Sequence, residues 1–314
     1  MWQELLTSFL GEARKPLIVI LGPTASGKTN FSLRVAQELR RHGRQAEIVN
    51  ADSRQLYRHL DIGTAKIRSE EMQRIPHHLL SVLDPKEEVT IAWYKQRAVR
   101  VIREILARSN VPLLVGGSML YLSAVIDGLE PLSPADPELR ERLSCEYDRD
   151  GGELLAAKLE SVDPEGAKQI HKQNRTYLVR ALEIYELTGV PPSKQRRRTP
   201  CSFDLLILGI ALPREELTVR IAQRTKAMLD GSWIEEVRRL LDRGYSVSDP
   251  GLKSQGYRAV VSFFGGKLTR ERLEDEINRN VRQYAKRQMT WWHRDPRIHW
   301  ISSEALKDTS LLSS

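Results

Sequence analysis

Cysteine is scarce in this chain of 314 residues: Cys145 and Cys201 are the only two, and they are not spaced as a metal site. Their scarcity excludes a disulfide framework and structural zinc, and it predicts a reducing, cytoplasmic setting. Long apolar runs are missing too. None approaches the roughly 20 residues of a membrane span, so no membrane partner is expected. The N-terminal MWQELLTSFLGEARK is too short and too acidic for a signal or transit peptide. There is no internal repeat and no low-complexity tract. What remains is an ordinary globular balance, 40% apolar and 29% charged, enough for one large or two modest domains. The net charge of +8 is a weak pointer to a polyanion. Its distribution says more: Lys194-Gln195-Arg196-Arg197-Arg198 is a run of cations, and Arg279 to Arg294 mixes cations with aromatics.

Against that background one stretch stands out, Gly22-Pro23-Thr24-Ala25-Ser26-Gly27-Lys28-Thr29. It fits the phosphate-cradling pattern G-x-x-x-x-G-K-[ST]. The run Leu17 to Leu21 before it reads as a buried parallel strand. Phe31, Val35 and Leu39 after it recur every four residues, one face of a helix. The loop therefore opens a helix, with backbone N–H groups and the helix dipole aimed at an anion. Lys28 supplies a point charge to the phosphates and Thr29 a hydroxyl for Mg²⁺.

Ala46 to Asn50 reads as a second strand, and Asp52 just past its end should face the phosphate loop, because ligands in open α/β sheets gather beyond the carboxyl ends of strands. Leu60 to Lys66 is irregular and reads as a segment able to fold over a substrate. His77-His78 is placed in a loop with no third metal ligand nearby. Thr90 caps a helix with Tyr94, Ala98, Val101, Ile105 and Leu106 on its apolar face. A strand over Val111 to Val115 runs into Gly116-Gly117-Ser118, where two glycines allow close approach of backbone to ligand and Ser118 serves as an N-cap. Three prolines between Leu129 and Pro137 mark a boundary. Helical patterns follow to Leu187, and Thr188 to Pro192 marks a second boundary. Strand character returns at Leu205 to Ala211, then helices near 214–229, 233–243 and 269–292, and a last strand over Ile298 to Ile301. The expected fold is α/β: a P-loop-type core with a mainly parallel sheet flanked by helices, residues 1–129 and 200–314, plus a helical insertion domain, residues 130–199.

A second acidic strand end is also absent. ATPases and GTPases use an Asp at the end of an apolar strand to help hold Mg²⁺. Here the later strands end in Gly116-Gly117 and Ala211-Leu212-Pro213. That argues against a motor or switch and leaves a small-molecule kinase open.

The motif blocks together resemble one family, the tRNA dimethylallyltransferases, or tRNA isopentenyltransferases. The blocks are Gly22 to Thr29, Asp52 to Tyr57, Asp61 to Lys66, Pro76 to Leu79, Gly116 to Tyr121, Arg180 to Glu183, Gly256 to Arg258 and Ala285 to Trp291. The resemblance implies transfer of a dimethylallyl group from its diphosphate to N6 of the adenosine 3′-adjacent to the anticodon, with pyrophosphate released. Asp52 matches the family's base and Ser118 a channel position that is commonly Thr. Gly22, Pro23, Thr24, Ala25, Ser26, Gly27, Lys28, Thr29 and Arg220 would hold the diphosphate, with Mg²⁺ at Thr29 as cofactor.

The partners implied are dimethylallyl diphosphate and the anticodon stem-loop of tRNA, met by a monomer. Asp52, Ser53, Arg54, Gln55 and Ser118 would approach the flipped base. Arg140, Thr176, Tyr177, Leu178, Val179 and Arg180 carry the family's RNA contacts in the insertion. Lys253, Ser254, Gln255, Gly256, Tyr257 and Arg258 carry them in the core, with Lys286, Arg287, Gln288, Met289, Thr290, Trp291, Trp292 and His293. Tyr257 or Trp291 would stack on a base. Position 293 is often Arg in relatives, and Arg294 offers a substitute. Two alternatives stand beside this reading: an adenylate isopentenyltransferase acting on a free nucleotide, and a P-loop kinase or nucleotide-binding module. The helical lobe and the block from Ala285 to Trp291 favour tRNA, since a mononucleotide needs no such grip.

Overall fold

The computed structural model describes residues 2–129, 136–195 and 201–307. The cations Arg196 to Arg198 and most of the first proline-rich boundary lie outside the described residues. The chain divides into two compact units, residues 1–126 with 201–314, and residues 127–200.

In the first unit the chain runs α1 (Trp2–Glu12), β1 (Pro16–Leu21), α2 (Lys28–Arg41), β2 (Ala46–Asn50), β3 (His77–His78), α3 (Ile91–Ala107), β4 (Val111–Gly116) and α4 (Met119–Ile126). The second unit holds α5 (Pro137–Asp150), α6 (Glu153–Val162), α7 (Pro164–Ala167), α8 (Arg175–Thr188) and α9 (Pro192–Gln195). The first unit then resumes with β5 (Asp204–Ile210), α10 (Arg214–Asp230), α11 (Trp233–Asp242), α12 (Gln255–Phe264), α13 (Arg270–Trp292), β6 (Ile298–Ile301) and α14 (Ser303–Lys307).

The strands form one sheet in the order β3-β2-β4-β1-β5-β6, and every pairing is parallel. A parallel sheet is covered on both faces, which is why β1 reads as an unbroken apolar run. The period of two sorts that run: Leu17, Val19 and Leu21 enter the core shared with α3, α4 and α11, while Ile18 and Ile20 enter the core shared with α1 and α2. The expectation placed no element before β1. There Trp2, Leu6 and Leu10, four residues apart, are buried on one side of α1, with Trp2 edge-on to Phe31. The helical unit has a core of its own, built on Leu143, Leu155, Leu159, Leu178 and Leu182.

His77 and His78 form a short edge strand, β3, where a loop was expected. The reason lies on β2. Glu47 is almost fully buried there and accepts from Arg108 at 2.8 Å and Asn110 at 2.8 Å, and His78 Nε2 lies 2.6 Å from it. Burial alone would raise its pKa, but these bonds override burial and hold the carboxylate at about 2. Among the described residues no group of three or more His, Cys, Asp or Glu side chains is placed to hold a metal ion.

Candidate active site

β1, β2 and β4 are neighbours in the sheet, so their carboxyl ends bring the phosphate loop, Asp52 and Ser118 to one edge. Two glycines permit this. A Cβ on Gly116 would lie 2.2 Å from the carbonyl group of Ala51, and one on Gly117 only 2.4 Å from Gln288 Nε2. Backbone therefore approaches backbone where β2 and β4 end, and no side chain fits between them.

The loop itself makes a left-handed turn into α2, with Ala25 at φ 64° and Gly27 at φ 89°. No side chain caps α2, so its first N–H groups stay available to an anion. Lys28 Nζ lies across the loop and donates to the carbonyls of Gly22 at 3.0 Å and Pro23 at 2.8 Å. Burial draws its pKa down to about 8; the Asp52 charge raises it and Arg224 lowers it further. Thr29 follows with an exposed side chain.

Asp52 sits in a turn fixed at both ends. Its N–H donates to Asn50 Oδ1 at 2.9 Å, and its own Oδ1 accepts from the Arg54 N–H at 2.9 Å. Ser118 does not use its hydroxyl to cap α4. The Oγ instead accepts from the Ser53 N–H at 2.9 Å, while the Ser118 N–H donates to the Ala51 carbonyl at 3.1 Å. The hydroxyl thus ties the β4 end to the turn that carries Asp52. Beside them opens a cavity of about 410 Å³, lined among others by Ser53, Arg54, Ser118, Tyr121, Lys253 and Tyr284.

The helices after β5 complete the edge. Arg220 pairs with Glu216 at 2.8 Å, and its guanidinium would lie 3.6 Å from a Cβ on Gly27, which places it over the loop. Arg224, one turn further, donates to Thr24 Oγ1 at 2.6 Å. Burial lowers its pKa and the Asp52 charge opposes that shift. Sequence reasoning missed Arg224, although its spacing of four from Arg220 puts both on one helix face. It also missed Tyr284, which stands one turn before Gln288 on α13.

Gln288 has a role the sequence did not suggest. Fully buried, it accepts from the Thr24 N–H at 3.0 Å through Oε1 and donates to the Gly117 carbonyl at 2.8 Å through Nε2. It is a strut between the phosphate loop and the end of β4. Tyr257, Trp292, Leu178 and Val179 are likewise buried. Of the positions expected at RNA, these side chains face the interior, and Tyr257 is not available to stack on a base. Its hydroxyl donates to Glu236 at 2.6 Å.

Exposed on α13 are Lys286, Arg287, Thr290 and Trp291, with Met289 half-buried, and His293 is exposed just past its end. His293 packs against Trp300. Lys253 and Arg258 are exposed, Ser254 and Gly256 are half-buried, and Gln255 opens α12. In the helical unit Thr176 and Tyr177 are exposed, and Arg140 and Arg180 converge on the buried Glu183, each at 2.8 Å. Gln55 is turned toward its own chain and donates to the Thr64 carbonyl at 3.1 Å.

The profile of the IPP transferase family matches residues 55–295. A tRNA dimethylallyltransferase of Symbiobacterium thermophilum is 43% identical over 290 residues, 91% of this chain and 89% of the relative. Among solved structures, the full-length tRNA isopentenylpyrophosphate transferase of Bacillus halodurans matches with a TM-score of 0.66 at 36% identity, covering 92% of this chain and 90% of that one. A eukaryotic dimethylallyltransferase, described as acting on tRNA, matches with a TM-score of 0.75 at 26% identity, covering 92% and 74%. The chain therefore belongs to the IPP transferase family.

Proposed function

We propose that this chain transfers a dimethylallyl group from dimethylallyl diphosphate to N6 of the adenosine 3′-adjacent to the anticodon of tRNA, and releases pyrophosphate. The observation that carries the reading is the meeting of the Asp52 turn, Ser118 and the Lys28 loop at one sheet edge, beside a cavity of about 410 Å³. An anion holder and a carboxylate acceptor side by side suit an alkylation. As the N6–C bond forms, the C–O bond to the diphosphate breaks and the bond's electron pair leaves with it. The amine lone pair is delocalised into the purine ring, so the nitrogen must lose a proton, and Asp52 accepts it.

Lys28, the first N–H groups of α2, Arg220 and Arg224 face the growing negative charge of the diphosphate. Their geometry is set before substrate arrives, because Gln288 braces the loop and Arg224 is tied to Thr24. Thr29, exposed in the first turn of α2, fits Mg²⁺, which is held by few protein ligands together with phosphate oxygens and water. Bound there, the ion would supply charge to the diphosphate.

RNA binding falls to the exposed cations Lys253, Arg258, Lys286 and Arg287 and to the exposed ring of Trp291 in the catalytic core. Arg140, Arg180 and Tyr177 serve in the helical insertion of residues 130–199, and Ser53 and Arg54 line the base cavity. We propose that the protein works in the cytoplasm as a monomer. The test is competition: the protein is given dimethylallyl diphosphate, Mg²⁺ and equal amounts of unmodified tRNA and AMP. Prenyl product in the tRNA supports the reading, and product in AMP alone overturns it in favour of an adenylate isopentenyltransferase.

A further inference from the structure

The wall of the cavity carries a donor that the reaction described above leaves unused. Tyr284, on α13, lines the cavity together with Ser118 and Ser53. Its hydroxyl points at the Gly117 carbonyl from 3.5 Å, the outer limit of a hydrogen bond. That carbonyl is already served at 2.8 Å by Gln288, one turn further along the same helix. The Tyr284 hydroxyl also meets the Ser118 side chain, so its bond to Gly117 is long and its oxygen lies beside the reaction-channel serine, at the edge of a space sized for a substrate. Burial and the Asp52 charge push its pKa up to about 12 against the opposing pull of Arg54, the Ser118 hydrogen bond and Arg287, so the group stays a protonated donor at any physiological pH.

Two neighbouring tyrosine hydroxyls are engaged by backbone carbonyls, and a third tyrosine shares the cavity wall. Tyr57 donates to the Glu87 carbonyl at 3.2 Å and Tyr94 to the Asn50 carbonyl at 2.9 Å, and Tyr121 stacks on Tyr94 with ring centroids 4.0 Å apart. Asp52, whose charge Tyr284 senses, offers only acceptors when ionised. An acceptor in the turn next to the cavity-lining Ser53 and a donor on the cavity wall match the edges of adenine, where an amine that donates stands next to a ring nitrogen that accepts. Guanine reverses the pattern on its pairing edge, with an oxygen that accepts and a ring N–H that donates.

We infer that Tyr284 is a specificity-determining contact to the purine: its hydroxyl leaves the Gly117 carbonyl and donates to the ring nitrogen, N1 or N7, that flanks the reacting amine. The inference rests on the prenyl-transfer reading, and its test keeps the two apart. Anticodon stem-loop RNAs carrying adenosine, 1-deazaadenosine or 7-deazaadenosine at the target position are given to the wild type and to Tyr284→Phe. Transfer by the wild type to the adenosine RNA checks the underlying reading, and a wild type inert on it overturns both.

For Tyr284 itself, the Phe variant is expected to lose about tenfold in kcat/KM on the adenosine RNA, with KM for dimethylallyl diphosphate and the melting temperature unchanged. The wild type loses a similar factor on one deaza analogue, and the variant loses nothing more on that analogue. A Phe variant with wild-type kcat/KM, or one whose losses simply add to those of both analogues, overturns the inference.

Discussion

The residues at the sheet edge divide into those that meet substrate and those that hold the first group in place. Asp52 belongs to the first. Replacing it with Ala should reduce transfer by roughly 10²–10⁴-fold while diphosphate binding persists, measured by single-turnover transfer and by calorimetry. Gln288 belongs to the second. Gln288→Ala strands the Thr24 N–H and the Gly117 carbonyl, so a stability loss of about 1–3 kcal/mol is expected in denaturant unfolding, with KM for the diphosphate raised more than kcat is lowered. Lys28 gives a pH signature. Its folded pKa of about 8 lies below the ordinary 10.5, so between those values the unfolded chain holds the proton more tightly and stability rises with pH. Diphosphate binding runs the other way and weakens as the ammonium is lost above pH 8, whereas Lys28→Met should bind weakly with a flat profile. Lys28, Thr29 and Asp52 were legible in the sequence because each stands beside a local motif. The bracing by Gln288 was not legible, because its partners Thr24 and Gly117 are far away along the chain and only folding brings them to α13.

Among the elements, the segment Leu60 to Lys66 shows most that the sequence left unread. It reads as irregular and able to fold over a substrate, with no anchor in view. In the structure Glu236 on α11 accepts from the N–H groups of Asp61, Ile62 and Gly63 at 2.8, 2.7 and 3.2 Å, and also takes the Tyr257 hydroxyl. Lys66 secures the far end by donating to the Tyr57 carbonyl at 2.7 Å and to Ser81 Oγ at 2.8 Å. Two blocks that read as separate signatures, Asp61 to Lys66 and Gly256 to Arg258, meet at one helix. Their glycines explain why: a Cβ on Gly63 would lie 2.0 Å from Trp233 Nε1, and one on Gly256 would lie 2.5 Å from the same ring. Gly63→Ala is therefore expected to cost about 1–3 kcal/mol in thermal or denaturant unfolding, through displacement of Trp233. The strands and long helices were readable because periodicity reports burial directly. This clasp was not, because it joins three distant stretches through one buried carboxylate.

For the whole molecule, the formal charge of +8 gains meaning from where the exposed cations lie. Lys286 and Arg287 stand together on the open face of α13. Removing either should weaken tRNA binding at low salt and reduce the slope of log affinity against log salt by about 0.7–0.9, with diphosphate binding untouched. In the proposed reaction the phosphate loop serves as the holder of a leaving group in an alkyl transfer. Dimethylallyl diphosphate labelled with ¹⁴C at the allylic carbon and ³²P at the β-phosphorus tests it most directly in the presence of Mg²⁺ and unmodified tRNA. The account predicts ¹⁴C in the RNA, attached at N6 of adenosine, with all the ³²P recovered as intact pyrophosphate. Recovery of ³²P in the RNA, or its release as orthophosphate while the RNA stays free of ¹⁴C, would contradict it.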